Sequence, residues 1–348
     1  MILHIFNPSH DEALAAHRAQ YCPTRAARVL GAALANLPEW WSEAGDQCLA
    51  LPESMNLSEV VRPDWKKVER IEPWGWDAHI AHLLRRLGAP ERLLPSDEQL
   101  EAIRELSSRQ TTVRLLQLLH AQPTAKGILN VESRWCTTLE EVADALRATP
   151  NAMLKLPWSS SGRGVFPVRG GVEMLPQARV LKALREQGGI EVQPLFDGVA
   201  DAALEFDVTA DGEVLFLGCS LFSTTETGAY TGHFVDTPTR LRERFLELWQ
   251  SASAEISLSS EEAEMAFAVL LQRLTAALAA LLAGKYVGPL GVDVLFTPSG
   301  IHPCVEINLR RTMGHVALAI ADRLSPEQLP ATFSVTTGKL ELQTANAR

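Results

Sequence analysis

Residues 291–310 read GVDVLFTPSGIHPCVEINLR, two strand-like runs around Pro298-Ser299-Gly300, and that centre carries the turn chemistry of a β-hairpin. A turn centred between Ser299 and Gly300 sets Asp293 directly opposite Glu306, and cross-strand partners stand about 5 Å apart. The two-residue period of a strand puts Glu306, Asn308 and Arg310 on one face and Val305, Ile307 and Leu309 on the other. Facing carboxylates repel, and one pKa rises unless a cation lies between them. Two acids with a neutral amide beside them suit a hard, oxygen-preferring ion such as magnesium. The alternative is an exposed amphipathic hairpin with Arg310 pairing the acids at the surface. Against it, Asp, Glu and Asn are poor strand formers.

A second stretch, MLKLPWSSSGRGV at residues 153–165, sets Lys155 on an apolar strand before a loop of small residues. Backbone N–H groups of such a loop can approach phosphate oxygens while the lysine supplies a point charge. A lysine that snorkels to water from an ordinary turn is the competing reading.

Composition narrows the partners. The 348 residues are 46% hydrophobic and 21% charged, with 42 acidic against 32 basic side chains and a net charge of -10. No basic cluster offers the footprint that a nucleic-acid backbone requires, so no nucleic-acid partner is expected. Cys22, Cys48, Cys136, Cys219 and Cys304 are scattered and form no C-x-x-C pair, which predicts reduced thiols of a cytoplasmic protein. The longest apolar segment, 265–282, has Gln272 and Arg273 at its middle. It reads as a buried core helix stopped by Gly284, with no membrane partner.

This length predicts more than one lobe. Strands at 2–6, 47–51 and 68–71 alternate with helical patterns at 25–37 and 77–87, which predicts a small α/β domain over 1–97. Ser96-Asp97-Glu98-Gln99 resembles a helix start, and one long helix is expected from there to His120. Residues 98–338 form the second domain, divided into a smaller lobe at 98–190 with the phosphate loop and a larger one at 191–338 with the metal strands. A further hairpin is expected around Ala210-Asp211-Gly212.

Taken together, a strand lysine with a Gly/Ser loop, an acid-rich hinge, G-x-D on one strand and E-x-N-x-R on the next resemble the ATP-grasp superfamily over roughly residues 100–320. The resemblance implies an α/β and α+β fold in which two α+β lobes hold ATP between them, preceded by a small Rossmann-like α/β domain. It implies that Lys155 contacts the ATP phosphates and that Ser159, Ser160, Ser161, Gly162 and Gly164 belong to a lid over them. Asp293, Glu306 and Asn308 would hold one or two Mg2+ ions, with Mn2+ able to substitute. Arg310 matches the arginine that steadies the transferring phosphoryl group. Glu191, Gln193 and Leu195 fall where a hinge strand meets adenine, with Gln193 standing where glutamate is usual. Glu205 falls near the ribose-binding acid. Arg109 occupies the place of a second nucleotide-binding lysine; an exposed helix charge is its other reading.

The implied activity is ATP-dependent ligation, in which a small-molecule carboxylate becomes an acyl phosphate and is joined to an amine or thiol. A kinase on the same fold and a nucleotide sensor without turnover are the rival readings. Arg311 and His315, close behind the metal strand, are candidates for binding the substrate carboxylate, and the polar segment 224–233 with Tyr230 for lining the acceptor pocket. His4, His10 and His17 with Asp11 and Glu12 share no helical or strand face, so no metal cluster is read there. The tryptophans at 40–41 and 74–76 are read as packing. The sequence specifies no oligomeric interface.

Overall fold

Short apolar strands alternating with amphipathic helices at the N-terminus form a parallel sheet in the computed structural model, which describes residues 1–159, 164–224, 230–336 and 338–345. Strand β1 (Ile2–Ile5) lies between β2 (Gln47–Cys48) and β3 (Arg70–Pro73). Helices α1 (His10–Ala16), α2 (Arg25–Ala33) and α3 (Ala78–Leu87) accompany it. Leu3, Ile5, Ile71, Ile80 and Leu84 make its core. Asp77 starts α3 by accepting the Ile80 N–H at 2.8 Å, and Gly88 at φ 92° ends it in a conformation that favours glycine.

The long helix expected from residue 97 to 120 is two helices, α4 (Asp97–Leu106) and α5 (Arg109–His120). Ser107 turns its hydroxyl back to the Ile103 carbonyl at 2.7 Å, and Ser108 accepts the Gln110 N–H at 3.3 Å as cap of α5. Serine hydroxyls that satisfy the backbone locally compete with helix continuation. The break sets Arg109 in the first turn of α5, its own N–H bonded to the Pro157 carbonyl at 3.0 Å.

A four-stranded antiparallel sheet follows, in the order β4-β7-β5-β6. It comprises β4 (Arg134–Cys136), β5 (Ala152–Lys155), β6 (Val165–Val168) and β7 (Ile190–Pro194). With α6 (Leu139–Ala148) and α7 (Gln177–Gln187) it has its own core of Val142, Leu146, Leu154, Val180 and Ile190.

The largest sheet has seven strands: β8 (Ala200–Val208), β9 (Val214–Thr224), β10 (Tyr230–Val235), β11 (Gly288–Thr297), β12 (Gly300–Asn308), β13 (Ala331–Thr336) and β14 (Lys339–Gln343). Their order is β12-β11-β8-β9-β10-β13-β14, with β12 at one edge. Helices α8 (Pro238–Ala252) and α9 (Ser260–Leu282) pack Phe245, Trp249, Phe267 and Leu274 against Phe206, Val292 and Phe296, and Leu115 and Leu119 of α5 join that core. By length and composition α9 is the one helix among the described residues able to cross a membrane. Here its middle holds a buried Arg273, which donates to Thr124 Oγ1 at 2.8 Å and to the Leu119 carbonyl. Helix α10 (Met313–Arg323) follows β12 and packs Val316 and Ile320 against Phe6, Leu34 and Trp74, joining the N-terminal unit to the large sheet.

Candidate active site

The hairpin that opened the sequence reading pairs Asp293 with Glu306 and Gly291 with Asn308, so the acids face one another. The turn itself lies one residue earlier than the sequence suggests. Thr297 pairs with Gly300, and that register continued inward would set Asp293 against Cys304. A shift between Asp293 and Leu295 restores the facing acids. Pro303 has no N–H to give a ladder, so a bulge on this edge strand accommodates it.

Asp293 shares its strand face with Glu205 across β8, because Glu205 stands opposite Gly291. Loss of water around Asp293, then the neighbouring charges of Glu306 and Glu205, push its carboxyl from 3.8 up to about 8. Asn308 Nδ2 donates to Asp293 Oδ2 at 3.1 Å. Among the described residues no group of three or more His, Cys, Asp or Glu is placed to hold a metal. The two carboxylates and the amide oxygen are a hard and incomplete donor set, which would suit a divalent ion retaining several waters. The folded protein keeps on Asp293 a proton that the unfolded chain releases near pH 4, so this contribution to stability is full below that and lost as pH rises through about 8. Chelator-treated protein should lose thermal stability over that window more steeply than Asp293→Asn; equal slopes would count against the assignment.

Three cations converge on this pair. Lys155, 2% exposed, crosses from the smaller sheet to donate to the Val305 carbonyl at 2.8 Å. Its Nζ lies 3.8 Å from Glu191 Oε2, its cross-strand neighbour. Burial lowers the Lys155 pKa, with Glu191 acting in the opposite sense. Ser133 Oγ donates to Glu191 Oε1 at 2.8 Å, while Oε2 has no hydrogen-bond partner. Arg109, 4% exposed, pairs with Glu306 Oε1 at 2.8 Å. Although burial disfavours its charge, Glu306 and Glu191 more than offset this and raise its pKa. The exposed-charge reading of Arg109 thus gives way to a buried ion pair with Glu306 on β12.

The third cation, Arg310, is held by a residue that the sequence reading set aside. Asp11, on α1, accepts from Arg310 Nε at 3.2 Å on both oxygens and lies 3.0 Å from Nη2. Nη2 also donates to Asn308 Oδ1 at 3.0 Å and Nη1 to the Arg311 carbonyl at 3.3 Å. Of the five N–H groups of a guanidinium, one on Nη1 stays available to a ligand among these contacts. A signal for Asp11 was present: it follows the first strand of an α/β unit closely, where open sheets place their functional loops.

In the small-residue loop after β5, the Leu156 N–H bonds the Gly164 carbonyl at 2.8 Å and closes the loop's base. A Cβ on Gly164 would stand 2.3 Å from that of Ser159, so only glycine fits. Ser159 Oγ is buried without a partner. Ser160, Ser161 and Gly162 lie outside the described residues. Along β7, β4 pairs as far as Val192 while β5 continues to Pro194, so beyond Val192 one side of β7 has no ladder partner among the described residues. Gln193 Oε1 lies 3.2 Å from His302 Nε2, and the Leu195 N–H bonds the Asn151 carbonyl at 3.0 Å.

Other expected residues face inward. Glu205 is fully buried, accepting from Thr312 Oγ1 at 2.8 Å and lying 3.0 Å from His315 Nδ1. His315 Nε2 lies 3.1 Å from the Phe206 carbonyl. The pair fixes the start of α10 against β8, and neither shows an open face to ribose or to a substrate carboxylate. Arg311 lies over the Trp41 ring at 4.6 Å and 3.9 Å from Glu72, with its N–H on the Trp74 carbonyl at 2.9 Å; it anchors the N-terminal unit. Tyr230 Oη lies 2.8 Å from His233 Nδ1, a histidine that burial pulls down to about 3 and keeps neutral.

No family model and no curated protein matches this chain. Solved structures do. N5-carboxyaminoimidazole synthetase from Staphylococcus aureus, complexed with ADP, is similar over 96% of this chain and 82% of its own, with a TM-score of 0.51 and 11% identity. Pyruvate carboxylase of Rhizobium etli is similar over 93% of this chain and 28% of its own, with a TM-score of 0.52 and 14% identity. At such identity the likeness is one of fold.

Proposed function

We propose, from the premise that this chain has the ATP-grasp fold, that it is an ATP-dependent ligase joining a small-molecule carboxylate to an amine. The observation that carries this reading is the meeting of Lys155, Arg109 and Arg310 with Asp293, Glu306 and Asn308 at one strand edge. Adenine recognition alone needs none of these six. The ADP held by the Staphylococcus aureus enzyme of like fold supports a nucleotide in the cleft.

Lys155 and Arg109 supply positive charge for the phosphates from two different elements, which fixes a phosphoryl chain more rigidly than one flexible side chain does. Arg310 has one N–H left for a phosphoryl oxygen, and its other contacts hold the guanidinium still, so no reorganisation accompanies the reaction. Asp293, Glu306 and Asn308 would hold magnesium, which when bound offsets charge on the phosphates. A carboxylate oxygen of the acid attacks the γ-phosphorus, and the bond to ADP breaks. The amine nitrogen then attacks the acyl carbon, orthophosphate leaves, and the nitrogen loses a proton. Closure of the loop that runs from Leu156 to Gly164 would keep water from the acyl phosphate.

Screening pools of acids and amines for ADP and orthophosphate release tests the reading: orthophosphate that requires one member of each pool is expected. A stable phosphorylated product would instead mean kinase chemistry, and tight ATP binding without turnover a sensor. Lys155→Ala should raise the KM for ATP at least about tenfold, roughly 1.4 kcal/mol of lost binding, with a smaller change in kcat. An unaltered KM would remove Lys155 from the phosphate site.

A further inference from the structure

Each of the three proposed metal donors already meets a neighbour through one of its oxygens. Arg109 Nη2 stands 2.8 Å from Glu306 Oε1. Arg310 Nη2 donates to Asn308 Oδ1 at 3.0 Å, and Asn308 Nδ2 donates to Asp293 Oδ2 at 3.1 Å. Among the described residues, Asp293 Oδ1 and Glu306 Oε2 accept no hydrogen bond, and both side chains keep partial exposure. An amide oxygen has two lone pairs, so Asn308 Oδ1 retains one. Three protein oxygens therefore stay open, enough for one octahedral ion whose other places go to phosphate oxygens and water.

A second ion is a different matter. Two ions of one phosphoryl site stand about 4 Å apart, a spacing that a shared carboxylate spans with one oxygen on each. Neither acid has both oxygens open. The contact on Asp293 comes from a neutral amide, but that on Glu306 comes from a guanidinium 4% exposed. An ion on Glu306 Oε1 would stand against that fixed positive charge at a buried edge, where solvent screens little. Arg109 is held in place: its backbone N–H is bonded to the Pro157 carbonyl at 3.0 Å, and Glu306 gives it the one ion pair it makes among the described residues.

We propose that this site holds a single divalent ion, on Asp293, Glu306 Oε2 and Asn308, and that the Arg109 guanidinium stands on Glu306 Oε1 in place of a second ion. The inference rests on the donor set of the proposed function and fixes how many ions that set takes. Arginine suits the place because it keeps its charge at any working pH. A guanidinium also has five N–H groups, so it can hold Glu306 and still face a phosphate oxygen, as a second ion would.

The test counts Mn2+ by equilibrium dialysis in full-length protein saturated with the β,γ-methylene analogue of ATP, and reads coupling between ions by electron paramagnetic resonance. The parent should hold one Mn2+ per bound analogue, with no spin-coupled pair. Arg109→Gln should hold two, spin-coupled across a shared Glu306. Arg109→Lys, which keeps the charge, should hold one. Arg109→Met is measured beside Arg109→Gln, so that a folding failure of one leaves the other, and analogue binding shows that each variant folds. The proposal is overturned if the parent holds two ions or none, if both neutral variants hold one, or if their second ion shows no spin coupling. The count does not depend on turnover. A parent with one ion that joins no acid to any amine strikes the ligase reading alone, and a parent with two ions that does join them strikes this inference alone.

Discussion

Glu306→Gln is expected to lower metal-dependent turnover at least about 10³-fold, some 4 kcal/mol of transition-state stabilisation, while the protein stays folded. The carboxylate does two things at once: it faces Asp293 in the donor set and it neutralises Arg109 at 2.8 Å. An amide keeps an acceptor for Arg109 but has no charge to share with a divalent ion. Removing that charge also relieves Asp293, whose carboxyl the pair pushes upward. The metal concentration for half-maximal turnover should therefore rise at least tenfold, and the thermal midpoint should move little, because Glu306 lies on the edge strand with a side chain 26% exposed. Turnover within threefold of the parent at the same magnesium concentration would dismiss the donor set.

Asp11→Asn is expected to lower kcat roughly 10- to 100-fold, about 1.4–2.7 kcal/mol, with the KM for ATP nearly unchanged. Asp11 is a positioning residue: it touches Arg310, and Arg310 in turn orients Asn308 Oδ1 at 3.0 Å. Without the carboxylate the guanidinium loses its fixed fork, so the loss falls on the step in which charge develops rather than on nucleotide binding. Asp11→Glu should recover part of kcat, since the charge returns on a longer stem. A merely structural contact would change stability without that split, so equal effects on kcat and KM, or none on either, would refute the role.

Local periodicity made the hairpin legible. Residue spacing of two specifies which side chains share a face, and it places Glu306 and Asn308 together on β12. Lys155 on an apolar strand before a small-residue loop was legible for the same reason, as were the strands and two longer helices of the N-terminal unit. Even there, the facing acids depend on a bulge at Pro303 that a turn-centred count does not contain. The helix expected through residue 107 failed because two serine hydroxyls, each plausible within a helix, bond the backbone locally instead.

Side-chain burial was not legible. Glu205 was expected near ribose and Arg311 and His315 near a substrate carboxylate, yet packing of α10 and the N-terminal unit engages all three. Arg109, for which an exposed helix charge was the other reading, is instead buried in a pair with Glu306. The sequence by itself determined the strand that presents the acids, since that rests on contacts a few residues apart. Only the tertiary structure decided that Arg310 is held by Asp11, 299 residues away. A pairing of that span depends on where whole elements dock, and no short-range pattern of apolar and polar residues encodes it.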